Sequence, residues 1–199
     1  MLMSGDRTVL DEEQDLALLV DQLKDIERQN PLSTGDRHER VAEHSWHVAM
    51  GVMMFHRESP EPVEVGRAVQ MAMLHDLAEL YVGDAFAYGD EIADHHKRER
   101  LAMEKLRAGT QSPAVREIVD LWDEYEAQTT PEARLVKAMD VYMPICLNYA
   151  NLDESSWKAH TVAADQVRHR LTKVRPVLGR LADQCDAWIH DAHRRGYLT

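Results

Sequence analysis

Residues 71–80 read MAMLHDLAEL and set three ionisable groups, His75, Asp76 and Glu79, inside an otherwise apolar helical stripe. Taking such groups out of water is costly unless they are paired or bind a metal. A fold that buries this stripe must therefore bring partners to it. On a helix Glu79 lies four residues from His75 and three from Asp76, so the three crowd one side. A second cluster, Glu43-His44-Ser45-Trp46-His47, stands at the front of another helical pattern. A third piece is Asp140, within EARLVKAMDVYMPICL, where Leu135, Val136, Met139, Met143 and Ile145 turn it toward the interior. Two imidazoles and two carboxylates, from His44, His75, Asp76 and Asp140, suit one divalent metal with positions left open for water and substrate.

The rest of the chain reads as all-α, a compact bundle of about six to eight helices. Gly (9) and Pro (7) are sparse, and alternating strand patterns are hard to find. The spacing predicts a first helix over about Val9 to Arg28, faced by Leu16, Leu19, Leu23 and Ile26. Asn30-Pro31 stops it, and STGDRHER follows as a polar loop. Further helices are expected over about Val41 to His56, Val63 to Leu80 and Glu91 to Arg107, the last ending at Gly109. The segment YVGDAFAYGD reads as a loop. Pro113 opens a helix to about Ala127, and Thr130-Pro131 caps one to about Tyr149. A final long helix is expected over about Ser156 to Arg194, bent near Pro176. No repeat or linker divides residues 1–199, which read as a single domain.

The formal charge is -12, from 23 Lys plus Arg against 35 Asp plus Glu. Such a surface repels a nucleic-acid polymer but admits a small anion where a metal and a few cations reverse the sign. No apolar run approaches the roughly 20 residues that cross a bilayer, and the start MLMSGDRTVLDEEQ lacks a secretory signal. Cys146 and Cys185 read as reduced thiols, Cys146 as a small core residue. The expectation is a cytoplasmic protein without a membrane partner.

The stretches VAEHSWHVA (41–49), MLHDLAELYVGD (73–84) and WDEYEAQTTPEARLVKAMD (122–140), with LKDIER (23–28), resemble the HD-domain metal-dependent phosphohydrolases, within them the 5′-deoxynucleotidase branch. The likeness covers most of residues 16–150. The resemblance implies an all-helical HD domain with one catalytic divalent metal (Co, Mn, Fe, Ni, Zn or Mg) held by His44, His75, Asp76 and Asp140. It implies a nucleoside monophosphate substrate and a homodimer. It gives Glu79 the task of activating water, Asp84 a part in catalysis or sugar binding, and Arg28 the phosphate. The family's Trp after that arginine helps choose the sugar; here the residue is Gln29, which cannot supply the same apolar wall. The loop after Gly83-Asp84 also differs.

The chemistry expected is attack of a metal-activated water on a phosphate monoester, with Glu79 as proton acceptor and Arg28 and Lys137 as cations on the phosphate. Pro144 removes the helical bond to the Asp140 carbonyl, so a kink there is expected to position Asp140. Of the other candidates, His47 reads as outer-shell support or packing, and His95-His96 as solvated. Arg37, His38 and Arg40 read as a solvated loop, Glu124 as structurally paired, and Trp46, Trp122, Trp157 and Trp188 as core. Three alternatives stay open: a phosphatase retuned for a modified nucleotide or another small phosphate ester, a di-iron oxygenase on the same fold, and a binding protein without turnover.

Overall fold

The computed structural model describes residues 8–89 and 92–199. Helix α1 (Val9–Leu19) passes through a 3₁₀ turn at Val20–Lys24 into strand β1 (Glu27–Pro31), which pairs antiparallel with β2 (His38–Arg40). Then come α2 (Val41–Phe55), α3 (Val65–Leu74), the single turn α4 (Glu79–Val82), α5 (Ile92–Gly109), α6 (Pro113–Ala127) and α7 (Pro131–Ala150). Short α8 (Ser156–Ala159), α9 (Ala164–Val174) and α10 (Gly179–Arg194) complete the chain. The architecture is helical throughout apart from the two-stranded ribbon. No helix among the described residues is long and apolar enough to cross a membrane. Residues 1–7 of the start and the expected first helical residue Glu91 lie outside the described residues.

Helix α7 is the axis of the fold. Leu135, Val136, Ala138, Met139, Val141 and Tyr142 are buried on every side of it. A helix apolar all round belongs in an interior, and α7 touches α2, α3, α6, α9 and α10. Thr130 caps it by accepting from the Ala133 amide, and Pro131 occupies the first turn, where a missing N–H costs nothing. It runs through Pro144 without ending. Gly51 lets α2 approach: a Cβ there would stand 2.2 Å from Met143 Cε and 2.8 Å from Met139 Sδ. A second apolar cluster, with Leu23, Val41, Leu77, Met103, Val119 and Trp122, lies beneath the turn that follows α3.

Five expectations are corrected. The first helix ends at Leu19, and Arg28 stands on β1 rather than on a helix. The STGDRHER loop ends in β2. The third helix stops at Leu74, and His75–Ala78 form a tight turn in which Leu77 N donates to Leu74 O (2.9 Å) and Glu79 N to Asp76 O (3.1 Å). These i to i+3 bonds wind the chain more tightly than an α-helix. The single long C-terminal helix is three helices, because Thr161 takes a positive φ of 52° and Pro176 precedes a break before Gly179. Trp122 and Trp157 are core and Trp188 packs against it, but Trp46 is 59% exposed.

Candidate metal centre

Three helical segments meet at one point. His44 comes from the first turn of α2, His75 from the end of α3 and Asp140 from the middle of α7. Each offers a ligand atom, and these atoms lie within 4.8 Å of one another, all three residues being buried. His44 Nε2 is 3.1 Å from Asp140 Oδ1, and His75 Nε2 is 3.7 Å from the same oxygen. Asp76 stands beside them, with Oδ1 3.2 Å from His75 Nε2 and Oδ2 3.8 Å from His44 Nε2.

The outer contacts aim the imidazoles. His75 Nδ1 lies 2.8 Å from the Ala72 carbonyl. A carbonyl only accepts, so Nδ1 carries a proton and Nε2 is the nitrogen left to face the centre. That Nε2 is buried with no hydrogen-bond partner. Such an orphan, facing two carboxylates, fits a cation. His44 Nδ1 meets Glu39 Oε2 at 3.2 Å, a close ion-pair contact short of hydrogen-bond alignment. A carboxylate behind a histidine whose other nitrogen faces the ion is a recurrent means of orienting metal ligands. Burial works against Glu39 ionising, but its contacts with His44 and His47, and the Arg28 charge, hold it down to about 2. Burial and Arg28 likewise oppose a charge on His44, yet Asp140 and Glu39 raise it to about 9 in the metal-free protein.

Asp140 is held asymmetrically. Its Oδ2 accepts from Lys137 Nζ (2.9 Å) and from the Tyr125 hydroxyl (3.1 Å), while Oδ1 faces the histidines. Burial opposes its ionisation, but Lys137 first and the two histidines next keep it well below the usual carboxylate range. Tyr125 is buried, its ring lies edge-on to His75 at 5.4 Å, and burial beside Asp140 keeps it protonated as a donor.

Arg28 is the hub of the acidic side. From β1 its guanidinium reaches Asp76 (2.8 Å), Asp84 (3.3 Å), Glu79 (3.6 Å) and, through Nε, Glu39 (3.6 Å). Glu79 is buried, and that burial with the Asp76 charge raises its pKa well above the ordinary value despite Arg28. Asp84 follows Gly83, whose φ of 76° ends α4, and burial raises it to about 6.

A cleft of about 380 Å³ opens over this centre, lined by Arg28, Asp76, Glu79, Asp84, Lys137 and Asp140, by His95 and Glu99 of α5, and by Arg170 and Lys173 of α9. Gln29 lies off this cleft on a side extension with Phe86 and Tyr88, where its Oε1 meets His160 Nε2 at 3.1 Å. His95, expected in solvent, is buried and faces the cleft, whereas His96 is exposed. Glu124 pairs with Arg67 and Thr130, Arg37 with Glu43, and Arg40 with Glu27. Glu39, Tyr125 and the α9 residues escaped the sequence reading. Glu39 and Tyr125 sit in polar contexts, RHER and DEYE, and their inward direction leaves no mark in apolar spacing.

The family model described as HD domain matches residues 20–179. Over 125 residues the chain is 35% identical to a 5′-deoxynucleotidase of Xenopus laevis and 34% identical to one of Homo sapiens. The matched stretch is 61% of this chain and spans about 60% of the length of those curated relatives. A solved structure of a predicted metal-dependent phosphohydrolase from Magnetospirillum magnetotacticum is 32% identical, with a TM-score of 0.87 and full coverage of both chains. A protein from Pyrococcus horikoshii is 25% identical with a TM-score of 0.61, covering 88% of this chain and 99% of its own.

Proposed function

The chain belongs to the HD domain family, and from that premise we propose that it is a metal-dependent phosphohydrolase that removes the 5′-phosphate from a deoxynucleoside monophosphate. One observation carries the reading: His44, His75 and Asp140 offer ligand atoms within 4.8 Å of one another beside a cleft that also holds Glu79. The similarity to curated 5′-deoxynucleotidases supplies the substrate class.

In this reading His44, His75, Asp140 and Asp76 hold one divalent ion. When bound, the ion lowers the pKa of a coordinated water and draws charge from phosphoryl oxygens. Glu79 takes or orients the proton of the attacking water, a role its raised proton affinity suits. Asp84, raised to about 6, protonates the leaving sugar oxygen or holds the sugar. Arg28, 2.8 Å from Asp76, balances the carboxylates on this side of the centre and lines the cleft in which the phosphate would sit. Lys137 keeps Asp140 in place and faces the same cleft.

Among the described residues no second His, Cys, Asp and Glu group comes close enough to hold another ion, so the reading takes a single metal. Gln29 presents an amide, not an apolar face, and we infer a weak preference for the deoxy sugar. The test is phosphate release from a panel of deoxy- and ribonucleoside monophosphates crossed with Co, Mn, Fe, Ni, Zn and Mg, with His75→Ala as control. Release from nucleotides with at least one metal, abolished in the control, is expected; no release from any pair sinks the reading.

A further inference from the structure

The cations that the sequence offers for the phosphate are already engaged. Arg28 serves four carboxylates, Asp76, Asp84, Glu79 and Glu39, and Lys137 serves Asp140 and Tyr125. With those four and Asp140 ionised, the centre carries five negative charges. Arg28 and Lys137 offset two, and a divalent ion two more. One negative charge is left over.

The opposite wall of the same cleft is α9, in the C-terminal part of the chain. It turns Arg170 and Lys173 to the cavity, with His169 and Thr172. Neighbouring cations that face elsewhere have carboxylate partners: Arg168 pairs with Asp165, and Arg175 with Asp183 and Asp186. No carboxylate among the described residues lies within ion-pair distance of Arg170 or Lys173. Arg170 contacts neutral groups, the Ala87 carbonyl (3.2 Å) and the Tyr88 ring (5.6 Å). It is also close enough to Lys137 to disfavour that ammonium, though less than burial does and against the stronger pull of Asp140. The wall and the metal centre therefore share one electrostatic field. In a chain of net charge -12, two cations directed into a cavity with no carboxylate partner among the described residues are a local reversal of sign, and a low-dielectric cleft focuses it.

We propose that Arg170 and Lys173 form the anion-receiving wall of the cleft and bind the substrate's phosphate across from the metal ligands. The inference deepens the phosphohydrolase reading and rests on it for the identity of the substrate. It also gives α9 a place in the site. Because Arg170 also holds the 84–89 loop through Ala87, Lys173 is the cleaner position to change.

The experiment uses the full chain loaded with its best metal. Inorganic phosphate is titrated calorimetrically into the wild type and into Lys173→Ala, Lys173→Glu and Lys173→Arg, and KM and kcat are measured on one deoxynucleoside monophosphate. Metal affinity and melting temperature are recorded for each variant. Lys173→Ala is expected to raise both the phosphate Kd and KM about ten-fold, the scale of one lost charge-assisted hydrogen bond. Lys173→Glu should raise them further, Lys173→Arg should restore binding, and metal affinity should not move. An unchanged phosphate Kd and KM in Lys173→Glu overturns the proposal. If the wild type turns over no nucleotide yet binds phosphate through Lys173, the wall stands and the activity reading falls.

Discussion

The two oxygens of Asp140 have different surroundings. Oδ2 takes hydrogen bonds from Lys137 and Tyr125, and Oδ1 is left toward His44 and His75. Tyr125 is thus a positioning residue. Tyr125→Phe keeps the ring against His75 and removes one donor. We expect metal affinity to fall about ten-fold, as for other outer contacts of metal ligands, and turnover to recover at saturating metal. A metal titration checks the first and activity against metal concentration the second. Glu39 gives a pH-dependent test. Its pKa is lowered from 4.5 to about 2, so its contribution to stability is complete above 4.5 and lost as pH falls through 2. His44 is raised from 6.5 to about 9, so its contribution is complete below 6.5 and lost as pH rises through 9. The gap in melting temperature between metal-free wild type and Glu39→Gln should therefore be widest between pH 4.5 and 6.5 and narrow on both sides.

At the scale of elements, the helices that bury apolar stripes were legible and the ribbon was not. Val48 and Val52 on α2, Ala68 and Ala72 on α3, and Val115 and Val119 on α6 announce their inner faces by helical spacing. β1 and β2 bury Arg28 and Glu39 instead, so their inward face is charged and no apolar alternation marks it. The ribbon carries those two side chains to Asp76 and His44. The turn at His75–Ala78 was hidden for a related reason: its spacing suits a helix, and only the i to i+3 bonds separate the two. The motifs around His44, His75 and Asp140, which the fold brings together, were legible because each interrupts an apolar run. Pro144 offers a test at this scale. It leaves the Asp140 carbonyl without the usual donor four residues on. Pro144→Ala should raise the melting temperature by restoring that bond and lower metal affinity and turnover several-fold by re-aiming Asp140. Unchanged affinity and turnover would make the proline merely tolerated. Gly51→Val is expected to cost about 1–3 kcal/mol by overpacking against Met139 and Met143, read from urea unfolding.

Across the whole molecule the centre is a point where separate parts of the chain are held together by their own electrostatics. His44, His75 and Asp140 come from α2, α3 and α7, and the ribbon supplies Arg28 and Glu39. No such grouping exists once the chain unfolds, so an ion that binds there favours the folded state by mass action. Saturating the site to one hundred times its Kd stabilises the fold by about 2.7 kcal/mol. The melting temperature should rise with added metal and fall on chelation, with the order of metals following their affinities. His75→Ala removes a side chain whose Nε2 has no hydrogen-bond partner among the described residues. It should abolish the metal-dependent rise and lower the metal-free melting temperature only by the lost Ala72 bond and the ring packing on Tyr125. Asp140→Ala removes the ligand that also ties down Lys137 and Tyr125, so it should both abolish the rise and lower the metal-free melting temperature. If chelation leaves the melting temperature unmoved in the wild type, the three helices converge for packing alone and the metal centre has no thermodynamic existence.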